Sequence, residues 1–209
     1  MGKQVNAILK EICNDLGFVK KGNFYIKPMY ANIDLTIFFS IASYQIKGHR
    51  LVAPRIGLRY DEVEKILRKI SDAEWLKANR YTNTISEHIG YIMPIHTWKE
   101  WDLIEPGTNS EVILNDLKDS LQKYSGIYYK QFSNIGNVIS MIEDEPWGSA
   151  NYDIFMRLPV MYYLIGRKQM GIDFINKALT KGFCEADEIF TEEYISNYMK
   201  LPENPSDIK

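Results

Sequence analysis

The chain has 209 residues, of which 45% are hydrophobic, so it is long and apolar enough for one large domain or two small ones. Its 25 basic and 27 acidic residues nearly balance, which argues against a dedicated nucleic-acid protein, because such proteins cluster cations against phosphates. No apolar run approaches the roughly 18 residues that cross a bilayer, and the N-terminus lacks the apolar core of a secretory signal. We therefore expect a cytoplasmic protein with neither a nucleic-acid nor a membrane partner.

The chain begins with an amphipathic helix, which is followed by strands. Apolar residues recur at helical spacing up to Leu16, and Gly17 stands where helices commonly end in a left-handed residue. Two short strand-like segments then flank a turn at residues 21–23. In the long strand that follows, every second residue is large and apolar: Ile33, Leu35, Ile37, Phe39 and Ile41. Because side chains alternate between the faces of a strand, we expect these five to face a core with the first helix and with the helix that carries Ile66 and Ile70. Thr36 should matter less to stability, unless its face is also covered.

Strand alternation resumes at residues 55–60 and then changes to helical spacing. Asp61 and Glu64 have the spacing of a capping box, in which their side chains would accept hydrogen bonds from the first N–H groups of the helix. Residues 89–95 are expected to form a further strand, and Pro94 favours an edge position for it.

The second half of the chain has helical spacing throughout. It predicts helices from about residue 108, two more around residues 152–165 and 168–181, and a short terminal one near residue 192. Strands first and helices second are typical of an α+β fold with an antiparallel sheet. We predict an α+β domain over residues 1–105 and a helical region over residues 106–209, packed against it or merged with it into a single domain.

The segment from Asp15 to Tyr25 reads DLGFVKKGNFY. Together with the long strand behind it and the sequence RIGL at residues 55–58, it resembles a bacterial domain-of-unknown-function family, the one numbered 4304, over roughly the first third of the chain. Residues 53–55 depart from that family's pattern, which has aromatic and Asn residues there. The resemblance implies a helix followed by hydrophobic strands. Some similar small bacterial domains resemble immunity proteins that neutralise toxins. The helices at residues 152–181 also resemble a single tetratricopeptide hairpin.

The sequence contains none of the usual catalytic, cofactor or metal motifs. His88 and His96 lie eight residues apart, which is not the spacing of a His-Glu-x-x-His zinc site. There is no Gly-x-Ser-x-Gly nucleophile motif and no phosphate-binding glycine loop, and neither Cys13 nor Cys184 has a neighbouring His in sequence. We therefore expect no cofactor and no metal, and we assign no catalytic residue.

One candidate binding site lies on the second face of the predicted sheet. Arg55 and Arg59 project from the same face of their strand, and Asp34 occupies that face of the long strand. Two arginines on one face suggest a clamp for a carboxylate or a phosphate. The alternatives are a solvated face on which Asp34 pairs with an arginine, and a face covered by the C-terminal helices.

Two further patterns suggest a protein interface. Trp98 and Trp101 lie three residues apart, and tryptophans are as common in cores as they are at interfaces. The acidic run of Glu143, Asp144 and Glu145 is either a solvated loop or a surface for a basic partner.

These patterns favour a non-catalytic protein whose partner is another protein, with a toxin-neutralising immunity protein as the most specific form of that role. The main alternative is an enzyme that acts on a small anionic substrate in a pocket between the sheet and the helices, with histidine as acid or base. A third is a scaffold whose C-terminal helices carry a self-complementary apolar patch.

Overall fold

The computed structural model describes residues 3–43, 46–79, 81–104, 111–144, 152–181 and 186–208. These residues form an α+β fold in which an N-terminal helix precedes an antiparallel sheet, as predicted. The strands are β1 (Val19–Lys21), β2 (Phe24–Pro28), β3 (Ile33–Ser43), β4 (His49–Tyr60), β5 (Ile85–His88) and β6 (Trp101–Ile104). The helices are α1 (Lys3–Asp15), α2 (Asp61–Ile70), α3 (Glu74–Ala78), α4 (Ile89–Ile92), α5 (Glu111–Phe132), α6 (Ile135–Asp144), α7 (Tyr152–Leu164), α8 (Lys168–Thr180), α9 (Ala186–Ile189) and α10 (Glu192–Met199).

The chain divides into two compact units that interleave along the sequence. The sheet unit consists of Met1–Arg59 and Ile85–Gln131, and the helical unit consists of Tyr60–Thr84 and Phe132–Lys209. The predicted division at residues 105/106 differs from this one, because the chain leaves the sheet unit after β4 and returns to it for β5. No composition change marks those crossings in the sequence.

The sheet has the order β1-β2-β3-β4-β5, and β6 also pairs with β4. The twelve-residue strand β4 pairs with β6 through residues 49–52 and with β5 through residues 55–58. Both pairings are antiparallel. β5 and β6 therefore run in the same direction along β4, and residues 89–100 leave this strand after His88, opposite Arg55, and return to it at Trp101, opposite Val52.

The core of the sheet unit lies on the predicted face of β3, but only for part of the strand. Ile33, Leu35 and Ile37 are buried, whereas Phe39 is half-buried and Ile41 is 39% exposed. Tyr25 is the cross-strand partner of Ile37, and burial and then nearby Cys13 raise the pKa of its phenol to about 12. Since Cys13 is in α1, this helix covers the Ile37 face.

The opposite face of β3 is also covered at Thr36, which is one of the alternatives that the sequence left open. Thr36 is as deeply buried as the apolar residues beside it and has interaction partners of its own. The face on which it lies is therefore not a plain solvated surface at this point of the strand.

Two local predictions from the sequence are wrong. Tyr60, not Asp61, is the N-cap of α2, and no side chain caps the helix; Glu64 turns instead into the protein, where it is fully buried. Residues 89–92 form the helical turn α4 rather than a strand, because the side chain of His88 accepts a hydrogen bond from the Gly90 N–H and ends β5.

A fully buried ion pair joins α2 to α7 in the helical unit. Arg157 Nε donates to Glu64 Oε1 at 2.7 Å, and both side chains have no exposed surface. Thr82 and Thr84 donate their hydroxyl hydrogens to the same carboxylate, and the Arg157 guanidinium lies over the Trp75 ring. Each charge is therefore satisfied by several partners, which offsets the cost of removing it from water.

The terminal helix α10 is hydrogen-bonded to α7 near Pro159 of α7. Tyr194 and Tyr198 donate to the carbonyl oxygens of Met156 and Pro159 at 2.7 and 2.8 Å. Pro159 lacks an N–H and so interrupts the hydrogen-bond ladder of α7, and the two phenols bond carbonyl oxygens close to this interruption. Gly171 of α8 permits the approach, because a Cβ atom there would lie 2.1 Å from the Tyr198 hydroxyl.

The long strand provides a matched stability test. We expect Ile37→Ala to lower the free energy of unfolding by about 2–5 kcal/mol, because it leaves a cavity in a packed core. Ile41→Ala removes the same atoms from a side chain that is 39% exposed, and should lower it by less than about 1 kcal/mol. Chemical denaturation measures both losses, and equal losses would contradict the position of Ile41 at the core's edge.

The buried ion pair should behave as a coupled unit. Glu64→Leu or Arg157→Met alone leaves one charge buried without its partner, and should lower the free energy of unfolding by about 3–5 kcal/mol. The double variant should lose clearly less than the sum of the single losses, and denaturation of all three variants gives the coupling. Glu203→Ala is the control, because Glu203 pairs with Lys168 while 90% exposed and should contribute less than about 1 kcal/mol. Additive losses in the double variant would refute the coupling.

Candidate functional site

The segment of residues 89–100, between β5 and β6, folds back on itself in a fixed conformation. Thr97 N–H donates to the Gly90 carbonyl at 3.2 Å, and His96 Nδ1 lies 2.8 Å from the Tyr91 carbonyl oxygen. A Cβ atom at Gly90 would lie 2.0 Å from the Thr97 oxygen, so only glycine allows the two backbones to come this close. His96 has a φ of 45°, a left-handed conformation that the turn requires.

This segment displays large hydrophobic side chains to solvent. Tyr91, Ile95 and Trp98 are 42%, 54% and 53% exposed. We call these three residues the aromatic surface. The Trp98 ring stacks on the His88 ring with centroids 3.8 Å apart and planes 8° apart, and Tyr91 meets the same imidazole edge-on. The exposed Trp98 and Tyr91 rings therefore both pack against the buried His88 ring.

The two predicted tryptophans have different environments. Trp98 is exposed, whereas Trp101 is buried in β6, where its indole N–H donates to Asp116 Oδ2 at 2.8 Å. Lys99 lies over the Trp101 ring at 5.0 Å. Trp101 is thus a core residue that joins β6 to α5, and only Trp98 presents a contact surface.

Arg55 and His88 lie opposite each other beneath this segment. They are direct cross-strand partners in β4 and β5, so their side chains leave the sheet on the same face. Arg55 Nε and His88 Nε2 are both buried, and no residue in the described part of the chain accepts a hydrogen bond from either. An unsatisfied buried donor costs about 1–3 kcal/mol, so such a pair needs an explanation.

The neighbours of His88 keep its ring neutral. Burial first and the Arg55 charge second lower the pKa of His88 below its usual value, while Glu100 opposes them. Because Nδ1 accepts the Gly90 N–H at 3.2 Å, the single ring proton resides on Nε2. Arg55 Nε and His88 Nε2 are therefore both hydrogen-bond donors at neutral pH.

Among the residues of the predicted clamp, Arg55, Arg59 and Asp34, Arg55 is the one with a buried donor that has no hydrogen-bond partner in the described chain. Arg59 lies four residues beyond Arg55, about 13 Å along the strand, and is buried. Arg59 and Asp34 each have partners already. Arg55 keeps its donor unpaired, and the residue beside it is His88, which the sequence suggested only as a metal ligand or as the acid or base of an enzyme.

A second candidate is a cavity of about 350 Å³ in the helical unit, within the size range of ligand pockets. It lies among α6, α7 and α8 and has a mixed apolar and polar lining. The lining residues are Ile142, Glu143, Leu158, Tyr162, Met170, Asp173, Phe174 and Lys177. Of the predicted acidic run, Glu143 belongs to this cavity, whereas the Asp144 side chain and Glu145 are outside the described residues.

The polar groups of the cavity are paired with protein groups. The Tyr162 hydroxyl donates to Glu143 Oε1, Asp173 accepts from Gln169, and Lys177 has partners too. Burial and the Glu143 carboxylate raise the pKa of Tyr162 above its usual value, so the phenol stays protonated and is unsuited to act as a base. The unpaired donors at Arg55 and His88 therefore make the sheet unit the stronger candidate.

Neither a metal centre nor a membrane segment is found in the described part of the chain. There, no three His, Cys, Asp or Glu residues are grouped so that they could bind an ion, and no helix has the length and apolarity to cross a bilayer. No protein-family model, curated protein or solved structure matches this sequence.

The Gly90 contact should determine the position of Trp98. We expect Gly90→Ala to force the Thr97 and Lys99 backbone away and to disrupt the Trp98–His88 stack, with a loss of about 1–3 kcal/mol in unfolding free energy. The assigned indole N–H signal of Trp98 in an NMR spectrum reports the stack. Gly126→Ala on α5 is the control, since a Cβ atom there meets nothing within 4 Å. An unchanged Trp98 signal in the Gly90 variant would contradict this role.

Proposed function

We propose that this protein is a non-catalytic binding protein that docks another protein on the aromatic surface of Tyr91, Ile95 and Trp98. The observation that carries this proposal is the exposure of the Trp98 indole while its other face is stacked on the buried His88 ring. An exposed tryptophan that is fixed in this way has already lost much of the side-chain freedom that binding would otherwise remove.

The composition of the surface supports a protein partner. Tryptophan and tyrosine are the side chains that most often dominate protein–protein binding energies, and such residues usually sit near the centre of an interface. Polar and charged residues of the same segment adjoin these rings, namely His96, Lys99 and Glu100. An apolar centre with polar neighbours is the usual anatomy of an interface.

A toxin-neutralising immunity protein is the more specific form of this proposal, and its support is the family resemblance of residues 15–25 and 55–58. The predicted acidic run contributes little to it, because Glu143 bonds Tyr162 within the helical unit. The unpaired donors at Arg55 and His88 instead favour a partner with an acidic group at the contact.

An enzyme with a small anionic substrate is the second candidate, and the same two donors favour it. Arg55 would hold the anion, and His88 would be the titratable group beside it. Its low pKa makes His88 a neutral donor rather than an acid at neutral pH. The enzyme requires a free substrate, whereas the binding protein requires a macromolecular partner, so one experiment separates them.

Site-specific photo-crosslinking tests the proposal. A benzoylphenylalanine residue at position 98 should crosslink one protein in an extract of the source cells. The same residue at position 30 should not, although Tyr30 is 86% exposed in the same unit. The crosslinked protein is then purified and its affinity is measured against Trp98→Ala and Tyr30→Ala. We expect Trp98→Ala to weaken binding roughly 30-fold or more, as hot-spot residues do, and Tyr30→Ala to have little effect.

Two results would refute the proposal. One is the same crosslinking pattern from positions 98 and 30. The other is a purified partner that binds the wild type and Trp98→Ala with equal affinity. Circular dichroism of each variant verifies that a loss of affinity is not a loss of folding.

A further inference from the structure

Arg55 Nε and His88 Nε2 form a pair of donors without an acceptor. The two residues face each other across β4 and β5, and His88 is 2% exposed. No described residue accepts a hydrogen bond from either atom, although the neighbouring His88 Nδ1 is satisfied by Gly90. Polar atoms at such depth are normally paired, so the arrangement indicates a position for an acceptor from outside the chain.

The chemistry of this acceptor follows from the two donors. Arg55 carries a permanent positive charge, and His88 is a neutral ring with its proton on Nε2. Neither atom can accept a hydrogen bond in these states. An anionic oxygen satisfies both, and its hydrogen bond to an arginine is charge-assisted.

The surroundings favour a carboxylate over a phosphate. The Glu100 carboxylate lies near enough to influence His88, and it repels a dianion more strongly than a monoanion. The stacked Trp98 ring covers one face of the His88 ring, so an acceptor can approach Nε2 only at the edge of the imidazole.

We propose that Arg55 and His88 form a carboxylate-binding subsite beside the Trp98–His88 stack, which receives an acidic side chain of the protein that docks on the aromatic surface. This inference rests on the proposed function, because the partner supplies both the apolar contact and the carboxylate. The partner would then carry one apolar residue that contacts Trp98 and one acidic residue that reaches Arg55.

Binding should be visible in the titration of His88. The groups that face this ring are the Arg55 guanidinium, the Glu100 carboxylate, and the rings of Tyr91 and Trp98, with His96 packed against Tyr91. A carboxylate at Nε2 favours the protonated imidazole, so its binding should raise the pKa of His88. Glu100→Gln should strengthen this binding by removing a competing negative charge.

The test is an NMR titration of the His88 ring in the full chain, with sodium acetate compared with sodium chloride at matched ionic strength. Acetate should raise the pKa of His88 by roughly one unit. The peptide acetyl-Leu-Glu-Leu-amide should bind roughly tenfold more tightly than its Gln counterpart, as expected for a charge-assisted hydrogen bond.

Two variants test the subsite, and a third is their control. Arg55→Lys keeps the charge but removes the Nε donor, and His88→Phe keeps a ring under Trp98 but removes Nε2. Both should abolish the preference for the Glu peptide. Arg50→Lys on the same strand is the matched control and should leave the preference intact, because the Arg50 side chain bonds Ser43 instead.

The outcomes separate the two proposals. If acetate and chloride leave His88 with the same pKa and the Glu and Gln peptides bind equally, the subsite is refuted, while crosslinking from position 98 would still support the protein-binding role. If acetate raises the pKa but the two peptides bind equally, the site takes small carboxylates and the assignment to a partner side chain is refuted. If the Glu peptide is preferred but position 98 crosslinks no protein, the aromatic surface is not the docking site and the proposed function fails.

Discussion

The candidate site depends on the pairing of both β5 and β6 with the single strand β4. Because β4 pairs with β6 and then with β5 along its length, the segment between β5 and β6 has to leave β4 and return to it. Within this excursion the Gly90 backbone contacts that of Thr97, which only glycine permits. The same pairing places Arg55 opposite His88. The exposed tryptophan and the unpaired donors beneath it thus have a single structural origin.

In the helical unit, the buried carboxylate of Glu64 has a structural role and is fully hydrogen-bonded. Glu64 accepts hydrogen bonds from Arg157, Thr82 and Thr84, so no oxygen of this fully buried carboxylate lacks a donor. Arg55 and His88 differ from it in the decisive respect that each retains a buried donor without an acceptor in the described chain. Both sites consist of charged or titratable groups in the interior. The difference in hydrogen bonding is what distinguishes the structural ion pair from the candidate recognition site.

We propose recognition rather than catalysis for this site. The His88 ring serves at once as the support for Trp98 and as a neutral donor, and its Nδ1 atom ends β5 by capping Gly90. A change in the protonation state of His88 would disturb these contacts. The cavity of the helical unit is also a weak catalytic candidate, because its tyrosine and carboxylate bond one another.

The sequence by itself determined the α+β class, the long strand β3 and the helices α1, α7, α8 and α10, because side-chain periodicity and glycine positions are local signals. It also singled out Arg55 and Trp98. The tertiary structure alone decided that Glu64 would pair with a residue 93 positions away rather than cap its own helix. It also decided that Trp101 would be buried while Trp98 stayed exposed, and that His88 would lie opposite Arg55. These outcomes depend on strand register and on long-range packing, which spacing along the chain does not encode.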